Sequence, residues 1–231
     1  MSLRLSAPVL LLATSAFAAV HGKVTLAGAP KNPDVAIRVG VSDPACTRMG
    51  KVMTENWKIG EGNGLADAVV WVLDAPPARP VGTETIVQKG CRYVPHVLCI
   101  AKGATVTFRN DDPTLHNIHA SEYRGKAENA VELFNAGQTE GMATNEVFNH
   151  AGIFKIRCDV HPWMEGWILV TDGCCFAVTG ADGSFQLPAL PDGNYTAQAW
   201  HSGFEKPLTH KFTVKGGNAI LDLEFNAAQA D

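Results

Sequence analysis

The sequence predicts an all-β protein of two domains, each a sandwich of antiparallel strands. The chain has 231 residues, and its 46% hydrophobic and 18% charged residues can form buried cores. Short runs that alternate apolar and polar residues recur between turn signals; one of them puts Val106 and Phe108 on the same face. Few stretches have a helical pattern, and the best candidate, Ser121–Phe134, is short and weak. We therefore expect mainly strands.

The first 18 residues predict a signal peptide. Arg4 precedes the apolar stretch Leu5–Thr14, and Ala16-Phe17-Ala18 has the small-x-small form of a cleavage site. The stretch is shorter than the about 20 apolar residues that span a bilayer. We expect cleavage near Ala18, a periplasmic or secreted protein, and no membrane span in the mature chain.

A domain boundary is predicted near Asp172-Gly173, which divides the mature chain into 19–172 and 173–231. After the boundary, the turn signals Asp182-Gly183 and Asp192-Gly193 separate alternating runs, which predicts a small β-sandwich. The strand-like runs before the boundary are Gly22–Leu26, Val35–Val41, Ala68–Leu73, Thr85–Val87, Val97–Ile100, Thr105–Arg109, Val147–Asn149, Phe154–Arg157 and Trp167–Thr171.

The charge pattern argues against a nucleic acid partner. The formal net charge is -4, and the lysines and arginines are scattered singly along the chain. Phosphate binding requires clustered positive charge. A small molecule or another protein is therefore the expected partner.

A loop between two strand-like runs holds the candidate metal ligands. Cys158, His161 and Met164 follow one another at intervals of three residues. Thiolate, imidazole and a weak thioether, with one further histidine, form the ligand set of electron-transfer copper sites. His116, just after the Thr105–Arg109 run, supplies the second imidazole. The spacing predicts one copper ion held by these four residues.

Two other histidines remain alternatives at this stage. His119 lies three residues after His116, and His96 precedes a strand-like run. Either of them entering the site would make it other than a four-ligand blue copper site.

The ligand loop resembles that of the cupredoxins amicyanin and plastocyanin, and its Cys-x-x-His-Pro-aromatic-Met spacing is closer to amicyanin. The resemblance implies a Greek-key sandwich with an elaborated N-terminal part. It implies that His116, Cys158 and His161 are equatorial ligands, that Met164 is the axial ligand, and that Asn117 braces the cysteine loop. The protein would cycle between Cu(I) and Cu(II) as a one-electron carrier and not as an enzyme.

The same resemblance implies a docking surface. Pro162 and Trp163 would lie beside the edge of His161 in an apolar patch where a donor or acceptor redox protein binds transiently.

The C-terminal stretch is similar to carboxypeptidase regulatory-like domains, which have a transthyretin-like sandwich. The similarity lies in the sequence Asp182-Gly183-Ser184-Phe185 and in Leu190-Pro191-Asp192-Gly193-Asn194-Tyr195. A cupredoxin domain followed by such a domain also resembles exported bacterial proteins of the methylamine-utilisation type. This pattern specifies a fold and says little about function.

Six cysteines in an exported chain suggest disulfides, but Cys158 is assigned to the metal. Cys46 and Cys91 are the preferred pair because both lie in loop-like segments. Cys99 falls in an apolar run and fits a buried thiol. The pairing of Cys174 and Cys175 is left open.

Other functional classes fit the sequence less well. A periplasmic copper carrier or storage protein would use a Met-rich site, and the chain has five Met in total. A multicopper oxidase needs paired His-x-His motifs, which the sequence lacks. A non-redox β-sandwich binding protein, suited to the C-terminal domain, is the remaining alternative.

Overall fold

The computed structural model describes residues 19–37, 44–48, 52–78, 82–126 and 129–230. The predicted signal peptide lies outside the described residues, as does most of the predicted Val35–Val41 strand. Among the described residues, no helix combines the length and apolar character needed to cross a membrane.

The described elements are almost all strands. The strands are β1 (Val20–Ala27), β2 (Ala36–Ile37), β3 (Val52–Met53), β4 (Val69–Val72), β5 (Thr83–Gln88), β6 (Tyr93–Val94), β7 (Val97–Ala101), β8 (Thr105–Asn110), β9 (His116–Tyr123), β10 (Val131–Gln138), β11 (Ala143–Val147), β12 (Gly152–Arg157), β13 (Glu165–Thr171), β14 (Phe176–Val178), β15 (Ser184–Leu187), β16 (Gly193–Trp200), β17 (Leu208–Val214), β18 (Ala219–Ile220) and β19 (Leu223–Asn226). The helices are α1 (Pro44–Arg48) and two 3-10 turns, Glu61–Asn63 and Ala227–Gln229. The predicted all-β fold class is confirmed.

The first sandwich is formed by residues between β5 and β13. One sheet has the strand order β10-β9-β12-β13-β7 and the other β11-β8-β5-β6. The pairs β13–β7 and β5–β8 are parallel. Val106 and Phe108 are both 0% exposed and point into the core between the sheets, as the alternation in β8 predicts.

The second sandwich combines strands from both ends of the chain. Its sheets are β14-β4-β16-β17 and β15-β1-β18, and β19 pairs in parallel with β1. Val24, for example, lies opposite Leu223. The division of the chain at residue 172 stays a prediction; β1 and β4, which precede that residue, pair with strands that follow it. Local alternation carries no information about a partner strand so far away in the chain.

The two sandwiches pack through an aromatic interface. Trp167 of β13 and Trp200 of β16 have ring centroids 5.1 Å apart, and Tyr123 lies edge-on to Trp167 at 5.3 Å. Trp71 of β4 and Leu169 of β13 complete the buried cluster. Because β13 directly follows the candidate ligand loop, this interface also anchors one end of that loop.

The helical pattern predicted over Ser121–Phe134 is wrong. β9 continues to Tyr123, and β10 starts at Val131 and pairs with it in antiparallel fashion. An isolated helix of that length is marginal, whereas pairing within a five-stranded sheet satisfies the backbone groups.

His201 is a buried titratable residue at the edge of the second sandwich. It is 1% exposed, its ring stacks on Trp57 at 5.0 Å, and its Nδ1 accepts a hydrogen bond from the Gly203 N–H. Burial lowers the pKa of His201 from 6.5 to about 4. The folded state therefore holds this imidazole neutral.

The buried imidazole predicts acid sensitivity. As the pH falls, His201 takes up a proton in the unfolded chain before it does so in the folded protein. Its contribution to the free energy of unfolding is therefore complete above about pH 6.5 and falls by about 3 kcal/mol towards pH 4. His201→Asn keeps an acceptor for Gly203 but does not titrate. Urea unfolding at about pH 7 and about pH 4.5 should show a smaller loss of stability in the variant than in the wild type. Equal losses would contradict the assignment.

Candidate metal centre

Three buried side chains converge at one end of the first sandwich. The Nδ1 atoms of His116 and His161 are 2.9 Å apart, and Sγ of Cys158 lies 4.0 Å and 3.6 Å from them, respectively. All three residues are at most 2% exposed. Ligands bound to one ion at about 2.0 Å for nitrogen and about 2.3 Å for sulfur lie within about 4.3 Å of each other. The three atoms are thus close enough to share one metal ion.

The ligand loop closes on itself through its backbone. It joins the antiparallel neighbours β12 and β13. The N–H of Met164 donates to the His161 carbonyl at 2.8 Å, and the N–H of Cys158 donates to the Met164 carbonyl at 3.0 Å. These bonds fix the spacing of three residues that the sequence singled out.

Met164 lies inside the same end of the sandwich. It is 1% exposed and belongs to the apolar cluster that contains Cys158. The structure therefore buries all four residues that the sequence predicted as ligands.

Asp112 orients the His116 ring. Its Oδ2 accepts a hydrogen bond from Nε2 of His116 at 3.0 Å, and its carboxylate also accepts the N–H groups of Gly90 and Cys91 at 2.8 and 2.7 Å. With the Nε2 proton held by Asp112, Nδ1, which lies on the side of Cys158, is the nitrogen that would bind a metal ion once it has lost its own proton. Asp112 is not among the predicted site residues, because its partners Gly90 and Cys91 lie more than 20 positions away in the chain.

The hydrogen bond between Asp112 and His116 shifts the pKa values of both groups. Burial alone would raise the pKa of Asp112, but the hydrogen bonds from His116 and from the two N–H groups outweigh burial and lower it. Burial would lower the pKa of His116, yet its hydrogen bonds with Asp112 and Cys158 raise it to about 8. The ring and the carboxylate thus stabilise each other's charged forms.

The thiol of Cys158 is activated. Burial would raise its pKa, but hydrogen bonds from His116 and His161 and from the backbone of Asn117 and His161 lower it from 9.0 to about 6. A thiolate is the form of cysteine that binds metals.

Asn117 links the two ligand segments. Its Oδ1 accepts the N–H of Asp159 at 2.7 Å, and its Nδ2 donates to Oδ2 of Asp159 at 3.0 Å and to Oδ1 of Asn135 at 2.8 Å. These contacts hold the residue after Cys158 against β9. The bracing role of Asn117 at a metal site stays a prediction.

The two alternative histidines lie outside the buried cluster. Both ring nitrogens of His119 face carboxylates, with Nδ1 2.9 Å from Asp159 and Nε2 2.9 Å from Glu132. His96 is buried, with Nδ1 3.1 Å from the Glu165 carbonyl. Within the described part of the chain, the clusters of potential ligands contain neither of them.

A second cluster of potential ligands joins Cys91, Asp112 and His116. It cannot supply a thiolate, because Cys91 is bonded to Cys46 with a Cα–Cα distance of 5.7 Å. These are the two cysteines that the sequence analysis paired. The disulfide connects α1 to the loop whose N–H groups hold Asp112.

Pro162 and Trp163 directly follow His161 of the candidate metal centre. Pro162 is exposed, and Trp163 is half-buried with its ring centroid 5.2 Å from that of His161. The Trp163 indole N–H donates to the Cys91 carbonyl at 3.2 Å. Trp163 therefore joins the ligand loop to the disulfide loop.

No protein-family model and no curated protein matches the chain. The solved structures similar to parts of it include cupredoxins. A purple cupredoxin from Nitrosopumilus maritimus is 32% identical, covering 38% of this chain and 99% of that chain, with a TM-score of 0.34. A reduced amicyanin variant is 22% identical, covering 44% of this chain and 98% of that chain, with a TM-score of 0.34.

A copper-containing nitrite reductase from Thermus scotoductus SA-01 is also similar. It is 22% identical, covering 42% of this chain and 25% of that chain, with a TM-score of 0.32. All three TM-scores are below 0.5.

Asp112→Asn tests how His116 is held. Without the negative charge, the pKa of His116 in the metal-free protein should fall from about 8, as measured by NMR titration of the ring. Copper affinity, measured by competition with a chelator, should fall by about 10- to 100-fold.

Asp111→Asn is the matched control. Asp111 is the neighbouring carboxylate and pairs with Arg109 at the surface. It should leave both quantities unchanged; equal effects of the two variants would contradict the role of Asp112.

Proposed function

We propose that this protein is an exported type 1 copper protein that carries single electrons between redox partners. The observation that supports this most is the convergence of two imidazole nitrogens and one thiol sulfur in a buried cluster. His116, Cys158 and His161 would be the equatorial ligands, and Met164 would make the weak axial contact. Export rests on the leader pattern of the first 18 residues.

The donor set favours copper over other metals. A thiolate with two imidazoles and a thioether is typical of copper electron-transfer sites, whereas carboxylates and carbonyls would favour harder ions. Asp112, whose carboxylate is hydrogen-bonded to the His116 ring, contacts Nε2 of His116 on the side away from Cys158. One ion would bind here and supply one-electron chemistry.

The surrounding β-scaffold would keep the ligands fixed during electron transfer. His116 starts β9, and Cys158 and Met164 flank the connection between β12 and β13. β9 and β12 are hydrogen-bonded neighbours in one sheet. Ligands held by a packed sheet rearrange little when the metal changes its charge, so each transfer costs less reorganisation.

An apolar patch would receive the partner. Leu115 and Val160 are 49% and 48% exposed, and each directly precedes or adjoins a ligand segment. With Pro162 and the exposed part of Trp163, which flank the ligand histidines in the chain, they would form the apolar patch. A small apolar contact of this kind suits a transient redox encounter with low affinity.

Copper reconstitution tests the proposal directly. The mature protein loaded with Cu(II) should show an intense thiolate-to-copper visible band and a small parallel hyperfine splitting. Cys158→Ser should abolish both signals, because it removes the thiolate. Cys99→Ser is the matched control, since Cys99 is a buried thiol outside the ligand cluster, and it should retain both.

Other outcomes would overturn the proposal. Copper binding without colour in the wild type would indicate a carrier or storage protein. Absence of copper binding would leave a non-redox β-sandwich binding protein.

Val160→Glu tests the patch. The electron self-exchange rate, measured by NMR on mixtures of oxidised and reduced protein, should fall at least about tenfold, because like charges meet across the contact. The visible band should be unchanged. Val147→Glu, at a position 52% exposed on β11, adds the same charge elsewhere and should leave the rate near that of the wild type. Equal slowing by both variants would contradict a docking role.

A further inference from the structure

Two adjacent cysteines lie in the segment that connects the two sandwiches. β13 of the first sandwich ends at Thr171, and β14 of the second begins at Phe176. Cys174 and Cys175 lie between them. Their backbone is held on both sides, since the Cys174 N–H donates to the Pro76 carbonyl at 2.9 Å and the Cys175 carbonyl accepts the Val72 N–H at 3.0 Å.

The two side chains point to the same side. Neighbouring residues of an extended strand direct their side chains to opposite faces. Here the Sγ atoms of Cys174 and Cys175 are 2.9 Å apart. A disulfide bond is about 2.05 Å long, so less than about 1 Å of movement separates the two thiols from a bond.

The two thiols differ in access. Cys174 is half-buried and lines a cavity of about 410 Å³ together with Cys99 and Phe176. Cys175 is 1% exposed and lies in the core of the second sandwich. Burial raises the pKa of the Cys175 thiol to about 12, with the neighbouring Cys174 adding to the shift. A reagent from solution therefore reaches Cys174 first. Cys175 is shielded from the solvent and stays a protonated thiol.

We propose that Cys174 and Cys175 form a two-electron thiol–disulfide site in the connecting segment, oxidised by a disulfide compound or a disulfide-carrying protein. The Cys174 thiolate attacks one sulfur of the oxidant, forms a mixed disulfide and releases the other sulfur as a thiol. Sγ of Cys175 then attacks Sγ of Cys174, giving up its proton to solvent and displacing the second thiol. The cysteine pair loses two electrons and two protons, and the oxidant's disulfide becomes two thiols.

This site is independent of copper. It lies at the far end of β13 from the ligand loop, and its exchange needs no metal. Its oxidation can therefore be measured in the metal-free protein, and failure of either proposal leaves the other untouched.

Mass spectrometry tests the inference in the full mature chain. The metal-free protein is equilibrated with oxidised glutathione, denatured in acid, alkylated with iodoacetamide and cleaved by a glutamate-specific protease. The fragment 166–205 contains Cys174 and Cys175 as its only cysteines. It should appear without alkyl groups and two hydrogens lighter than the dithiol. Prior reduction should restore two alkylated cysteines.

Three results would overturn the proposal: a fragment alkylated at both cysteines without reduction, a stable glutathione adduct on Cys174 in the wild type, or a cross-link to the fragment that contains Cys99. Cys175→Ser should stop at the glutathione adduct on Cys174, because the second attack is lost. Cys99→Ser is the matched control and should form the Cys174–Cys175 disulfide as the wild type does.

Discussion

The buried residue Asp112 connects the disulfide loop at Gly90 and Cys91 to the segment between β8 and β9. It accepts the N–H groups of the disulfide loop at Gly90 and Cys91, and it receives the Nε2 proton of His116. Its own N–H donates to Oδ1 of Asn110 at 2.9 Å, at the end of β8. A charge at 1% exposure is tolerated because each of these donors compensates for lost water. The orientation of the His116 ring, and with it the direction in which Nδ1 points, depends on this arrangement.

Much of the site follows from local sequence. Cys158, His161 and Met164 lie on one short loop, so their spacing already places them close together. His116 could also be found, because it sits where a predicted strand ends. Asp112 could not be assigned a role, since its partners Gly90 and Cys91 are recognised only after the disulfide loop has folded beside it.

In the fold, too, local features could be predicted from the sequence, whereas the pairing of strands far apart in the chain could not. Alternation in β8 identified the buried Val106 and Phe108, and the turn signal Asp182-Gly183 does separate β14 from β15, with Gly183 at a φ of +81°. The partners of β1 and β4 could not be predicted, because the alternation of apolar and polar residues within a strand does not depend on which strand pairs with it. The helical pattern over Ser121–Phe134 failed for a related reason: the sheet, rather than the segment itself, decides its conformation.

The pairing of β1 with β18 and β19 makes the first sandwich an insertion within the second. Lys23 and Asp222, which are hydrogen-bonded, lie 199 positions apart. All strands of the first sandwich, β5 to β13, precede β15 to β19 in the chain, so this sandwich can fold before β1 meets its partners. Once it is folded, the first sandwich joins β4 to β14, which are paired neighbours, as a compact unit in place of a long flexible loop. The loss of chain entropy on pairing these two strands is then smaller. The folded first sandwich thus favours assembly of the second sandwich, in which it is inserted.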